Sequence, residues 1–352
     1  MSTVKKNVLI VGGTRFSGLY LWKELHDRGH SVTLFNRGKT ALQRLPKESH
    51  EGFEKRCAET QYLKGDRQNA ADLATLGDKS FDVVYDMNGR EAADTAPLAD
   101  LFNGKVEHFV YMSSAGVYKK SPLMPHHEAD AVDEKSRHKG KLETEAYLQK
   151  IGIPYTSIRP TYIYGPLNYN TLEEYFFTRL TANQTVCIPG HGHHITGLGH
   201  VEDLAVAMAQ VIGREQAIGK VYNIQDVQSV TFEDLALLCG RAMGEDLIRF
   251  CARPKGPLVR MRAYDPKDFD FGKLKLFPMR PQHFFCSVDE AMRDLDWAPK
   301  HSLLQGLTDS YLLDFTPKLE AGLVPDFTCD IMVLKDQRVV ARHYDGVPSD
   351  NF

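Results

Sequence analysis

Lys135-Ser136-Arg137-His138-Lys139-Gly140-Lys141 places four fixed positive charges within seven residues, at the expected start of a helix. Cations there oppose the helix macrodipole. Such clustering suggests a phosphate grip formed by Lys135, Arg137, Lys139 and Lys141, with a solvated charged loop as the plain alternative. A second phosphate-directed feature, Gly12-Gly13-Thr14-Arg15-Phe16-Ser17-Gly18, follows an apolar strand and opens a helix. Its glycines permit a tight turn and close helix packing, and the helix N–H groups offer partial positive charge to a pyrophosphate. Gly12, Gly13, Thr14, Arg15, Phe16 and Gly18 are therefore candidate cofactor contacts. Arg15 stands where a glycine would let the backbone come closest, and either reaches out to phosphate or fills the pocket. The next strand ends in Asn36-Arg37-Gly38-Lys39, with no acid to hold an adenosine 2′-hydroxyl, so a dinucleotide bound here would be NADP, if one is bound at all.

Two carboxylates, Asp66 and Asp86, fall at the carboxyl ends of expected strands, where ligands bind in parallel sheets. They are candidates for magnesium-assisted phosphodiester cleavage. The plainer roles are a helix cap or adenine contact for Asp66, and a cap or turn before Asn88-Gly89 for Asp86. His191-Gly192-His193-His194 lacks a fixed helical spacing and an acidic partner set, and reads as a surface loop rather than a metal site. No metal ligand set is assigned.

The elements that must position these residues alternate along the first half of the chain. Apolar strands are expected at 8–11, 31–35, 61–64, 82–85, 106–112 and 155–158, with helices near 17–28, 70–76, 90–102 and 141–151. This is the pattern of an α/β, doubly wound parallel sheet of the dinucleotide-binding, Rossmann type. After Arg159-Pro160 the alternation gives way to aromatic, Gly/Pro-punctuated segments, with helices near 171–182 and 201–212 and a return to the sheet at 220–224. The organisation is thus a nucleotide-binding domain over 1–165, a smaller C-terminal lobe over 166–328 with segments returning to the sheet, and a polar tail over 329–352, flexible or partner-bound.

The 352 residues, 42% hydrophobic and 25% charged, match an ordinary globular chain able to bury a large core. A net charge of -3 gives no global drive toward polyanions, so any such site is local. Six scattered cysteines without a C-x-x-C pair read as buried thiols in a reducing compartment. No apolar run is long enough to span a bilayer, which excludes a membrane partner, and no leader segment is visible, which points to the cytosol if nothing has been trimmed.

Phe109-Val110-Tyr111-Met112-Ser113-Ser114-Ala115-Gly116-Val117-Tyr118 and Tyr162-Ile163-Tyr164-Gly165-Pro166 resemble the extended short-chain dehydrogenase/reductases, which include nucleotide-sugar epimerases and dehydratases. In that superfamily a serine at the Ser114 position works with a Tyr-x-x-x-Lys pair, the lysine lowering the tyrosine pKa so that it can move a proton. Lys141 matches the lysine, but four residues earlier stands Arg137, which keeps its proton at physiological pH. Ser114 and Lys141 are then residual reductase positions. His138 next to it points elsewhere around the helix and reads as solvated.

Gly12-Gly13-Thr14-Arg15-Phe16, the 136–145 segment, Tyr164-Gly165-Pro166-Leu167-Asn168-Tyr169-Asn170, Phe269-Asp270-Phe271-Gly272-Lys273 and Gln282-His283-Phe284-Phe285 narrow the resemblance to the chloroplast stem-loop-binding proteins, the b-type in particular. It covers nearly the whole chain. The resemblance implies a chloroplast stromal protein that binds stem-loop and ribosomal RNA, associates with ribosomes and affects transcript stability. In the related a-type it also implies Mg2+-dependent endoribonuclease activity, and it implies self-association or a hetero-oligomer with a related chain. Lys119, Lys120, Lys273 and Lys275 would extend the basic surface, with Tyr118, Tyr162 and Phe271 for base stacking. The alternatives are an NAD(P)-dependent nucleotide-sugar epimerase or dehydratase, and a scaffold subunit of a larger particle.

Overall fold

The computed structural model describes residues 4–250, 259–335 and 341–343, with side chains for all of these except 245–250 and 341–343. The expectations on Cys251 and on 344–352 lie outside the described residues. The chain separates into two units, one made of the described residues in 1–163, 201–227 and 286–300, the other of those in 164–200, 228–285 and 301–343.

In the first unit, strands β1 (Asn7–Val11), β2 (Ser31–Asn36), β3 (Gln61–Lys64), β4 (Val83–Asp86), β5 (His108–Met112) and β6 (Tyr155–Pro160) join a seventh, Lys220–Ile224. The sheet order is Lys220–Ile224, β6, β5, β4, β1, β2, β3, and every pairing is parallel. The expected doubly wound sheet is present. Val8, Leu9, Ile10 and Val11 are all buried, because helices cover both faces of the central strands of a parallel sheet. The crossovers are α1 (Ser17–Asp27), α2 (His50–Glu59), α3 (Ala70–Gly77), α4 (Ala92–Phe102) and α5 (Lys139–Ile151). Helix α4 starts with a reciprocal Glu91/Asp94 capping box, which places its entry two residues later than the periodicity suggested.

Helix α2 is not visible in the hydrophobic pattern, because its buried residue is a cation. Arg56 is almost wholly inaccessible, donates to both oxygens of Glu48 at 2.9 and 2.6 Å, and lies 3.7 Å from the centre of the Trp22 ring. A guanidinium fills the position that an aliphatic residue would ordinarily take, and paired with a carboxylate over an aromatic face it fits there.

The second unit has a short sheet in which Arg260–Tyr264 pairs parallel with Val186–Pro189 and antiparallel with Ala341–His343. Its core includes the aromatic cluster Tyr175, Phe176, Phe232 and Phe277, with ring centroids 4.7 to 6.0 Å apart. The beginning of the segment expected to be a tail is folded here: Thr328–Lys335 is a helix with Cys329, Asp330 and Val333 buried. Asp330 holds it down, accepting from Arg179 Nε at 2.8 Å and Nη2 at 2.7 Å, while Tyr175 lies 3.7 Å below the guanidinium.

Asp330→Ala leaves that guanidinium buried without its counter-charge, which should cost about 3 kcal/mol. Urea unfolding should show the loss as a lower midpoint at unchanged slope; a midpoint equal to that of the wild type would refute the anchoring role.

Candidate functional site

The glycine loop takes the form its sequence requires. Gly12 has φ +90°, and a side chain there would collide with the carboxamide of Asn88 at 2.8 Å. Gly18, at the start of α1, lies so close to the loop that a Cβ would stand 2.7 Å from the Cα of Gly13. The left-handed backbone falls on Phe16 (φ 38°), whose ring is buried, rather than on Arg15. Arg15 therefore keeps ordinary backbone geometry and presents an exposed side chain, which decides between its two expected placements in favour of the outward one. At the end of β2, Asn36 Oδ1 accepts from Gly38 N at 3.0 Å and from Tyr62 Oη, and its Nδ2 is buried with no partner. A glycine loop at a helix start plus an orphaned donor beyond the neighbouring strand fits a dinucleotide.

Asp86, at the end of β4, has no exposed surface, and both its oxygens are engaged. Arg67 donates to them at 2.6 and 2.9 Å, Thr95 Oγ1 at 2.7 Å, and Gly89 N at 2.9 Å. Burial alone would raise its pKa. The Arg67 charge and these hydrogen bonds outweigh burial and hold the carboxyl below the usual carboxylate range. Of the two candidate cleavage carboxylates, Asp86 is therefore a structural anion that shapes the turn before Asn88-Gly89, not a free metal ligand. Asp66 is half-buried and accepts from Gln68 N at 3.1 Å in a local turn, and the cap of α3 is Asn69 instead. Among the described residues, neither carboxylate belongs to a cluster of three or more groups able to hold a metal ion.

Lys141 projects from the first turn of α5 under the ends of β4 and β5. Its Nζ donates to Gly89 O and Met112 O, each at 2.6 Å, and lies 4.9 Å from the centre of the Tyr111 ring. Burial lowers its pKa to about 8. The hydroxyl closest in this network is that of Tyr111, which donates to the same Gly89 carbonyl at 2.9 Å. Tyr111 is fully buried, and burial raises its pKa, so it is no substitute acid/base at neutral pH. Ser114 Oγ accepts from Gly116 N at 3.1 Å and caps a short turn, while the neighbouring Ser113 Oγ is buried without a partner.

The tyrosine's place belongs to a turn. Helix α5 begins at Lys139, so Arg137 precedes even its cap residue, His138. Ser136 Oγ ties this turn to Gly116 O at 3.0 Å. Lys135, Arg137 and Lys139 are exposed, and none forms an ion pair among the described residues; Arg137 Nε meets only His138 Nε2, at 3.0 Å. Lys141, expected as the fourth member of this group, faces inward. Tyr118, expected as a stacking platform, is buried, donating to Asn223 Oδ1 at 2.8 Å and stacked on His126. The histidine-rich loop at 191–194 is a surface turn, with His193 Nδ1 3.8 Å from Glu233.

Residues 8–224 match the model of the NAD dependent epimerase/dehydratase family. Over 96% of its length the chain is 49% identical to the chloroplast stem-loop binding protein of 41 kDa b of Arabidopsis thaliana, covering 86% of that protein. Among solved structures, an epimerase from Methanothermobacter thermautotrophicus superposes with a TM-score of 0.69 at 20% identity, over 90% of this chain and 94% of that one. A UDP-glucose 4-epimerase from Thermotoga maritima does so with a TM-score of 0.68 at 19% identity, over 89% of this chain and 99% of that one. These two likenesses concern the fold.

Because the buried Lys141 ammonium titrates near 8 and an unfolded lysine near 10.5, the unfolded chain binds more protons between those pH values. Stability contributed by this group therefore rises with pH across that window. Measured against Lys141→Met, which lacks the titration, the wild-type protein should gain up to about 1.4 kcal/mol per pH unit in urea unfolding. A difference that stays flat from pH 8 to 10.5 would show that the ammonium is not buried as described.

Proposed function

This chain belongs to the NAD dependent epimerase/dehydratase family and, within it, to the b-type chloroplast stem-loop binding proteins, and we propose that it binds structured RNA through the turn entering α5. One observation carries the reading. Where the family's proton-transfer tyrosine would stand, Arg137 is exposed between Lys135 and Lys139, and no carboxylate neutralises the three among the described residues. Uncompensated cations on a rigid turn gain from phosphate what they do not obtain within the protein, and each phosphate neutralised releases counterions.

The epimerase or dehydratase alternative has the fold and the glycine loop on its side but lacks an acid/base: a guanidinium stands at position 137, and Tyr111 is buried and already bonded. Binding of RNA is better supported than magnesium-dependent cleavage of it, since Asp86 is wholly committed to Arg67, Thr95 and Gly89. A nucleotide cofactor remains compatible with the glycine loop, and serves here as a bound ligand rather than a redox reagent. The relative's name supports a chloroplast setting, and ribosomal RNA is the structured RNA we expect it to meet there, with ribosomes and related chains as partners. Among the described residues no helix is long and apolar enough to cross a membrane.

Replacing Lys135, Arg137 and Lys139 together by alanine should weaken stem-loop RNA binding at least ten-fold at about 50 mM salt and flatten the log–log salt dependence by about two to three units. Filter binding across a salt series reads both, with circular dichroism to confirm an intact fold. Unchanged affinity and slope would remove the proposal.

A further inference from the structure

We infer that the carboxyl ends of β2 and β3 form a subsite for a 2′-phosphorylated ribose, held by Asn36, Arg37 and Lys64, so that a dinucleotide on the glycine loop is the 2′-phosphorylated form rather than NAD. The inference is independent of the RNA reading. In a sheet whose glycine loop follows β1, the adenosine ribose lies beyond the end of the next strand, and an acidic residue there selects an unmodified 2′-hydroxyl. This chain has no acid at that point: after Asn36 come Arg37, Gly38 and Lys39.

The Asn36 amide is oriented by its neighbours. The Gly38 N–H donates to Oδ1 at 3.0 Å, and Tyr62 Oη shares that oxygen, so Oδ1 is committed and Nδ2 is the donor left over. That Nδ2 is buried without a partner, which costs free energy until an acceptor arrives. Lys64 stands beside it by register, since the parallel pairing of β2 and β3 sets Asn36 opposite Lys64, about 4.8 Å away across the ladder. Its stem lies along the turn: Cγ, Cδ and Cε come within 3.2 to 3.4 Å of where a Cβ on Gly38 would be. Arg37, Lys39 and Lys64 are exposed, and none has an ion-pair partner among the described residues. Lys64 and the orphaned Asn36 amide donor thus stand together at a point that in this fold faces the ribose, with Arg37 and Lys39 exposed in the turn beside them. A phosphate monoester, with about two negative charges and three acceptor oxygens, satisfies all of them, whereas a hydroxyl satisfies one at most. Arg15, exposed on the glycine loop, adds a further cation toward the pyrophosphate.

Isothermal titration with adenosine 2′,5′-bisphosphate, adenosine 3′,5′-bisphosphate and adenosine 5′-monophosphate isolates the 2′-phosphate without any reaction or nicotinamide. The wild-type protein should bind the 2′,5′-bisphosphate at least ten-fold more tightly than the monophosphate and at least three-fold more tightly than its equally charged 3′,5′ isomer. Asn36→Asp, which keeps the acceptor for Gly38 N and the turn with it, should abolish the preference. Lys64→Ala, at an exposed position, should reduce it to about three-fold or less. Equal affinity for the two bisphosphates, a preference that survives both substitutions, or no detectable binding of any probe by the folded wild-type protein would each overturn the subsite. RNA binding measured on Asn36→Asp should be unchanged, so failure here and failure of the RNA reading are told apart.

Discussion

The ammonium of Lys141 is the constraint on which the mouth of the sheet depends. Parallel strands end with carbonyls that have no neighbour beyond them, and Met112 O at the end of β5 and Gly89 O in the turn after β4 are two such acceptors. One cation satisfies both at 2.6 Å and ties α5 to the strand ends, while Tyr111 gives Gly89 O its second donor. From the other side Asp86 receives the N–H of Gly89, and Arg67 neutralises Asp86. The turn 86–89 is thereby fixed by an alternation of buried charges, anion within and cation on either side. Its Asn88 carboxamide in turn occupies the space that glycine leaves at position 12.

This arrangement explains why a lysine persists without the tyrosine it serves in reductases. A catalytic lysine with no phenol to polarise would be expendable if lowering a neighbour's pKa were its only role. Here it donates to two buried backbone carbonyls; without it Gly89 O would keep only the Tyr111 hydroxyl and Met112 O would lose this donor, a loss of about 1 to 3 kcal/mol for the latter. The tyrosine position carries no such burden. It lies in a turn before α5, exposed, and its side chain fills no part of the core. An arginine in that exposed turn therefore costs the fold little.

The sheet and its glycine loop were legible because parallel strands buried on both faces leave continuous apolar runs, and because a glycine turn between strand and helix has few alternatives. The buried cations were not. Arg56, Arg67 and Arg179 each look like surface residues in the sequence, and only a carboxylate distant in the chain or in a different element makes their burial tolerable: Glu48, Asp86 and Asp330 respectively. The same blindness hid α2, whose inward face is Arg56, and made Thr328–Lys335 look like tail. It also runs the other way for Lys141 and Tyr118, which the sequence offers as phosphate and base contacts and which are held inside by Gly89, Met112 and Asn223. Charge in the sequence reports composition, not direction.

Direction is what separates the two kinds of basic residue in the first unit. Where a cation meets a carboxylate, the pair carries no net charge and little of its field remains to attract a ligand. Lys135, Arg137 and Lys139 at one turn, and Arg37, Lys39 and Lys64 at the ends of β2 and β3, have no such partner among the described residues. In a chain of net charge -3, most cations must be offset somewhere, so these two groups are local exceptions to the general balance. Their separation along the sheet matters as well: β3 is at one edge of the sheet, whereas α5 docks at Met112 on β5, with β2, β1 and β4 lying between. With a Debye length near 8 Å at physiological ionic strength, exposed charges that far apart act as separate groups, each with its own local field.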